Sequence, residues 1–149
     1  GEEQALLDIL RGAGGSSAGT MQDIQWLVVP RHPQRFEQVA ALAREHGWQV
    51  SRRSEWPEGG PAQLSTQRLA DQAVSGRPVL WLGDSLGEMA LYYGLADIAL
   101  LGGSFAPLGG QNLIEAAACG CPILMGPHTF NFADASAEAE AAGAALRQP

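Results

Sequence analysis

Four places in this sequence set groups capable of chemistry directly behind an apolar run. The run "WLVV" is followed by Pro30-Arg31-His32-Pro33, and "VLWL" by a stretch from Gly83 through Gly87, Glu88 and Met89. "DIALL" leads into Gly102, Gly103 and Ser104, then Gly109, Gly110, Asn112 and Glu115. "PILMG" leads into Pro127, His128, Thr129, Phe130, Asn131 and Phe132. A guanidinium at a strand end suits bidentate contact with a phosphate or carboxylate. The bland alternative is that Arg31 is a surface residue and His32 a helix cap. Glycines let backbone approach a ligand, and a following helix offers free N–H groups. Glu88 could merely complement a helix dipole. Asn112 and Glu115 stand at capping-box spacing. Glu115 could instead point into a cleft and accept ribose hydroxyls. Asn131 is a candidate cap for the last helix. Thr129 and the two phenylalanines could wall a pocket or simply pack in the core.

The elements that must position these groups follow from periodicity and from glycine and proline punctuation. Residues 2–11 read as a helix with Ala5, Leu6, Ile9 and Leu10 on one stripe. Residues 12–20 read as a flexible linker or loop. The run 24–30 is a strand of the kind buried on both faces. Pro33 opens a helix through about His46, with Phe36, Val39, Ala40 and Ala43 inward, and Gly47 stops it. Strands are expected at 48–53, 77–84, 97–103, 121–126 and 144–147. Helices are expected from Gly87 to about Tyr93, over 112–119 and over 133–142, and 54–67 is irregular. Alternating strands and helices imply a single α/β domain, a doubly wound parallel sheet, whose ligands bind beyond the carboxyl ends of the strands.

Composition narrows the function. The chain has 149 residues, 46% of them hydrophobic, with a net charge of −7. All nine basic residues are arginines, and apart from Arg52-Arg53 they are scattered. An acidic chain without a basic run is not a general nucleic-acid binder. Cys119 and Cys121 are too close for a good disulfide and too few for zinc, so they are expected to be buried thiols in a reducing compartment. No signal peptide and no run of about 18 apolar residues is present, so a soluble segment is expected. The first residue is Gly, not Met, which suggests a piece of a longer protein. The dinucleotide fingerprint, the Walker loop and the nucleophile elbow are all absent. Strand ends bearing Gly, Arg, His, Ser, Asn and Glu point to a phosphate-bearing ligand with a sugar.

Taken in order, "GEE", "PRHPQRF", "GDSLGEM", "DIALLGGSFAPLGGQNLIEAA" and "PILMGPHTFNF" resemble the C-terminal half of 3-deoxy-D-manno-octulosonic acid (Kdo) transferases, over nearly the whole chain. The resemblance implies the Rossmann-like, donor-binding half of an inverting GT-B glycosyltransferase that moves Kdo from CMP-Kdo to lipid A precursor in lipopolysaccharide synthesis, without a metal or other cofactor. It implies Arg31 on the donor phosphate, framed by Pro30 and His32. Gly87, Glu88 and Met89 would line the nucleotide. Gly103 and Ser104 would offer hydrogen bonds near the phosphate or Kdo. Asn112 would meet the phosphate or sugar acid, and Glu115 the ribose hydroxyls. Gln111, Leu113 and the Ser85-Leu86 pair depart from the family's usual His, Pro and Thr-Met. The acceptor site, the catalytic base and the membrane anchor on the cytoplasmic face of the Gram-negative inner membrane would all belong to an N-terminal domain outside this chain. The chain alone is therefore expected to be inactive. The resemblance also places a strand just ahead of residue 1, in the middle of the sheet. The run 24–29 is thus expected either to pair with 79–82 or to leave an open edge. Two rivals stand beside this reading: a transferase or epimerase using a UDP-sugar, and a non-catalytic Rossmann-like module.

Overall fold

Pro33 has its φ preset for a helical start, and it opens a 3₁₀ turn, Pro33–Arg35, before helix α2, Phe36–Glu45. Val39, Ala40 and Ala43 repeat on one face of α2 and are buried, while Gly47 ends it with φ +88°. The computed structural model describes residues 1–13, 24–58, 60 and 78–149; most of the expected linker and most of the 54–67 stretch lie outside them. Helix α1 is Glu2–Ala13, followed by strands β1 (Trp26–Val28) and β2 (Gln49–Arg52), a 3₁₀ turn at Arg53–Glu55, and β3 (Val79–Leu82). Then come α3 (Met89–Leu95), β4 (Ala99–Leu100), α4 (Ile114–Ala118), β5 (Ile123–Met125), a 3₁₀ turn at Phe130–Phe132, α5 (Ala133–Ala141) and β6 (Ala145–Arg147).

The fold is α/β with parallel strands, but among the described residues the strands group into two sheets where one was expected: β1-β3-β2 and β4-β5-β6. The chain divides into two compact units, residues 1 and 3–85, and residues 2 and 86–149.

In the first unit β3 is central, pairing Leu80 with Trp26 on one side and Val50 on the other. Its Leu80 and Leu82 are fully buried. The 24–29 run therefore pairs with the 79–82 run, the first of the two expected outcomes. Lying at the sheet's edge, β1 is only half-buried, not covered on both faces as its apolar run implied. The core joins Leu7, Val39, Ala40, Ala43, Leu80 and Leu82. Each such leucine contributes roughly 2 kcal/mol by leaving water. The stripe expected on α1 is corrected: Leu7 is 1% exposed, whereas Ile9 is 65% exposed. A stripe chosen by apolar content alone had the wrong phase, because Leu7 meets Ala43 and Leu80 while Ile9 faces water.

In the second unit Leu101, Leu113, Ala116, Cys121, Ile123 and Met125 form the core, with Ala139 of α5 and Ala145 of β6. Both cysteines are free; Cys121 is buried as expected, but Cys119 is exposed. Burial raises the Cys121 thiol pKa. Gly143 follows α5 with φ +71° and turns the chain into β6. No helix among the described residues is long and apolar enough to cross a membrane.

Candidate functional site

At the carboxyl end of β1, Pro30 is buried and Arg31 and His32 are exposed. The His32 carbonyl accepts the Arg35 N–H at 2.9 Å, but its ring makes no cap bond. Arg31 makes no ion pair or hydrogen bond among the described residues. Arg11 on α1 is likewise without an ion pair among the described residues, whereas Arg35 pairs with Glu3, Arg44 with Glu37, Arg52 with Glu37 and Asp84, and Arg147 with Glu140. A guanidinium left unmatched at a strand end is available for an external anion.

Beside it in the same unit, Asp84 anchors the turn that follows β3. Its carboxylate accepts the Ser54 N–H at 2.8 Å, the Ser54 hydroxyl at 2.6 Å and Arg52 Nε at 2.8 Å. Burial pushes the Asp84 carboxyl up, but Ser54 and Arg52 outweigh that and hold it below the ordinary value. Asp84 fixes the shape of its turn and was not singled out from the sequence. No local signal marked it, since its partners Arg52 and Ser54 lie 32 and 30 residues away in sequence.

In the second unit, Gly87 adopts φ +76°, which favours glycine, and Glu88 and Met89 are half-exposed at the start of α3. Helix α3 packs beside α4, where the Ala90 carbonyl faces Cys119 Sγ at 3.9 Å. Burial and the Glu115 carboxylate both raise the Tyr93 phenol pKa. Met89 and Glu115 thus belong to neighbouring helices, although Ala90 lies by the far end of α4 from Asn112.

The turn after β4 is closed by its own backbone: Gly110 N–H reaches Gly103 O at 2.8 Å and Gln111 N–H reaches Gly102 O at 3.0 Å. Gly103, Gly109 and Gly110 have φ of +74°, +92° and +80°. At Gly109 a Cβ would lie 2.3 Å from Asn131 Nδ2, so the site needs glycine for space as well as conformation. Asn131 does not cap the last helix; its side chain donates to Leu108 O at 3.1 Å and ties two strand-end turns together.

Ser104 has no exposed surface. Its hydroxyl donates to Leu101 O at 2.5 Å and accepts Gly126 N–H at 2.8 Å, and its carbonyl accepts His128 N–H at 2.9 Å. In this structure Ser104 is a brace between two turns. The Gly103 N–H is donated to a Glu2 carboxylate oxygen, so in this structure both the Gly103 N–H and the Ser104 hydroxyl are already engaged.

Helix α4 is shorter than expected, starting at Ile114 rather than Asn112. Asn112 Oδ1 accepts the Ile114 N–H at 3.0 Å, and its Nδ2 donates to Glu115 Oε1 at 3.3 Å. The capping box is therefore half made: the Asn side chain takes an amide, while Glu115 turns to the Asn side chain instead of the Asn backbone. Five residues carry little macrodipole, so the anion-attracting helix start expected here is weak. Glu115 is exposed and Asn112 half-exposed, which leaves a linked amide–carboxylate pair open to a polyhydroxyl ligand.

Beyond β5, Pro127, His128, Thr129, Phe130, Ala133 and Arg147 line an open depression of about 340 Å³. Arg147 is held there by Gly126 O at 3.1 Å, Thr129 Oγ1 at 3.0 Å and Glu140 at 2.7 Å, so its charge is already matched. Among the described residues no group of His, Cys, Asp and Glu could hold a metal ion.

No protein-family model matches the chain. It is 45% identical over 153 residues to the 3-deoxy-D-manno-octulosonic acid transferase of Bordetella pertussis, covering 100% of this chain and 31% of that protein. It is 42% identical over 106 residues to the transferase of the same name from Haemophilus influenzae, covering 71% of this chain and 21% of that protein. The chain thus spans about a third or less of the length of these curated relatives. Among solved structures, it is similar to the C-terminal CMP-Kdo binding domain of WaaA from Acinetobacter baumannii, with 32% identity and a TM-score of 0.74 over 99% of this chain and 67% of that one.

Proposed function

The chain belongs to the 3-deoxy-D-manno-octulosonic acid (Kdo) transferase family, and from that premise we propose that it is the part of the enzyme that binds the CMP-Kdo donor. The observation that carries this reading is the likeness, over nearly the whole chain, to a domain described as binding CMP-Kdo. Arg31, framed by Pro30 and His32, takes the donor phosphate, since its guanidinium has no partner among the described residues. Glu115, oriented by Asn112, accepts the ribose hydroxyls. Gly87, Glu88 and Met89 line the nucleotide through a turn without a side chain at its sharpest point. Gly103 and Ser104 act from behind, by setting the turn that delivers Asn112.

During transfer the bond between the Kdo anomeric carbon and the phosphate oxygen breaks, and a hydroxyl of lipid A precursor forms the new one. The electron pair leaves on CMP, where a guanidinium lowers the cost of the developing charge. The proton lost by the acceptor goes to a base outside this chain, with inversion at the anomeric carbon. Acceptor recognition and attachment to the cytoplasmic face of the inner membrane also lie outside it. Titration of the chain with CMP and with UDP, followed by amide NMR shifts at Arg31, Met89 and Glu115, tests the reading. CMP-selective shifts are expected. UDP-selective shifts would transfer the site to a uridine nucleotide, and no shifts with either would leave a non-catalytic module.

A further inference from the structure

The second unit contains a carboxylate-filled amide nest. Gly103 N–H donates to Glu2 Oε2, Phe105 N–H to Glu2 Oε1 at 3.0 Å, and Ala106 N–H to the same oxygen at 2.8 Å. Three N–H groups of one short turn converge because Gly103 is at positive φ. Such a concavity binds an anion, and here the anion comes from the chain itself, 101 residues away in sequence. The same turn runs on to Gly110, Gln111 and Asn112. It closes through Gly110 N–H on Gly103 O and Gln111 N–H on Gly102 O, directly beside the nest.

We infer that Glu2 is a positioning residue for the donor site: its carboxylate saturates the 103–106 amides and so holds the turn that presents Asn112 and Glu115. This rests on the donor-site reading above. It assigns Glu2 no contact with the nucleotide and makes the nest an internal structural site, closed to the donor's phosphate. Without the carboxylate, three converging N–H groups would lose their shared acceptor, and the turn would be drawn toward other partners.

The test compares Glu2→Ala and Glu2→Gln in the full chain. The first readout is hydrogen exchange at Gly103, Phe105 and Ala106, which needs no nucleotide. The second is CMP affinity. Glu2→Ala is expected to speed exchange at all three amides and to weaken CMP binding about tenfold, as for loss of one charge-assisted interaction. Added acetate should restore both, saturably, by entering the vacated nest, whereas chloride at equal ionic strength should not. Glu2→Gln keeps the side chain's volume, so acetate should not rescue it; it also serves if the alanine variant fails to fold. Unchanged exchange at the three amides, or unchanged CMP affinity in a variant whose exchange has risen, overturns the inference. If the unsubstituted chain binds no CMP, the donor-site reading fails, and exchange with acetate still decides whether Glu2 holds the turn.

Discussion

Replacing Ser104 by Ala isolates a single oxygen that bridges two strand-end turns. The hydroxyl is fully enclosed, donates to Leu101 O and accepts from Gly126 N–H, and Leu101 and Gly126 are themselves buried. Alanine keeps the backbone conformation but leaves one acceptor and one donor without their partner. Each such group costs about 1–3 kcal/mol, so the pair amounts to roughly 2–6 kcal/mol. That is a large part of the roughly 5–15 kcal/mol that holds a domain folded. At this chain length about 2–4 °C of melting temperature is lost per kcal/mol, so a fall of at least about 4 °C is expected. Thermal melts measure the total, and hydrogen exchange at Gly126 and His128 reports the two turns separately. Both amides should exchange faster in the variant. A melting temperature within about 1 °C of the unsubstituted chain, with exchange at Gly126 unchanged, would refute the bracing role. If the hydroxyl instead met the donor, CMP affinity would fall while stability stayed the same.

Arg31→Ala should weaken CMP binding by about 1.5–3 kcal/mol, or roughly 10- to 150-fold, as one charge-assisted contact is lost. Arg44→Ala removes an exposed guanidinium already paired with Glu37 and should change binding less than about twofold in calorimetric titrations. Gly126→Ala would bring a Cβ to 2.3 Å from the Ser104 carbonyl oxygen, and the variant should be recovered mainly unfolded or aggregated, as assessed by circular dichroism and gel filtration. Asp8 and His46 give a pH-dependent pair at 2.9 Å. The hydrogen bond to Asp8 raises the His46 pKa above 6.5, and that from His46 lowers the Asp8 pKa below 3.8. The His46 contribution is complete below about pH 6.5 and disappears as pH rises through the raised value. The Asp8 contribution is present above 3.8 and disappears as pH falls through its lowered value. Urea melts from pH 5 to 8 should show this upper limb, and His46→Asn should flatten it.

Much of the architecture was legible residue by residue. Pro33, Gly47 and Gly143 bracket helices because their allowed φ values act locally. The Val39, Ala40 and Ala43 spacing named the buried face of α2, and each apolar run before a polar turn became a strand. The motif order carried the family, since short-range letter patterns survive without knowledge of packing. On α1 the same approach failed, because its four large aliphatic side chains, Leu6, Leu7, Ile9 and Leu10, allow more than one helical stripe, and only packing against Ala43 and Leu80 selects Leu7.

What the amino-acid sequence determined by itself was the order of elements, the parallel α/β class and the family. Tertiary structure alone decided that the strands form two three-stranded sheets and that Ser104 is sealed inside. It alone also decided that Glu2 fills the amides of a turn 101 residues away and that Arg31 finds no partner among the described residues. The reason is physical: backbone preference depends on a residue and its near neighbours, whereas the partner of a polar group depends on which distant atoms packing brings within 3 Å.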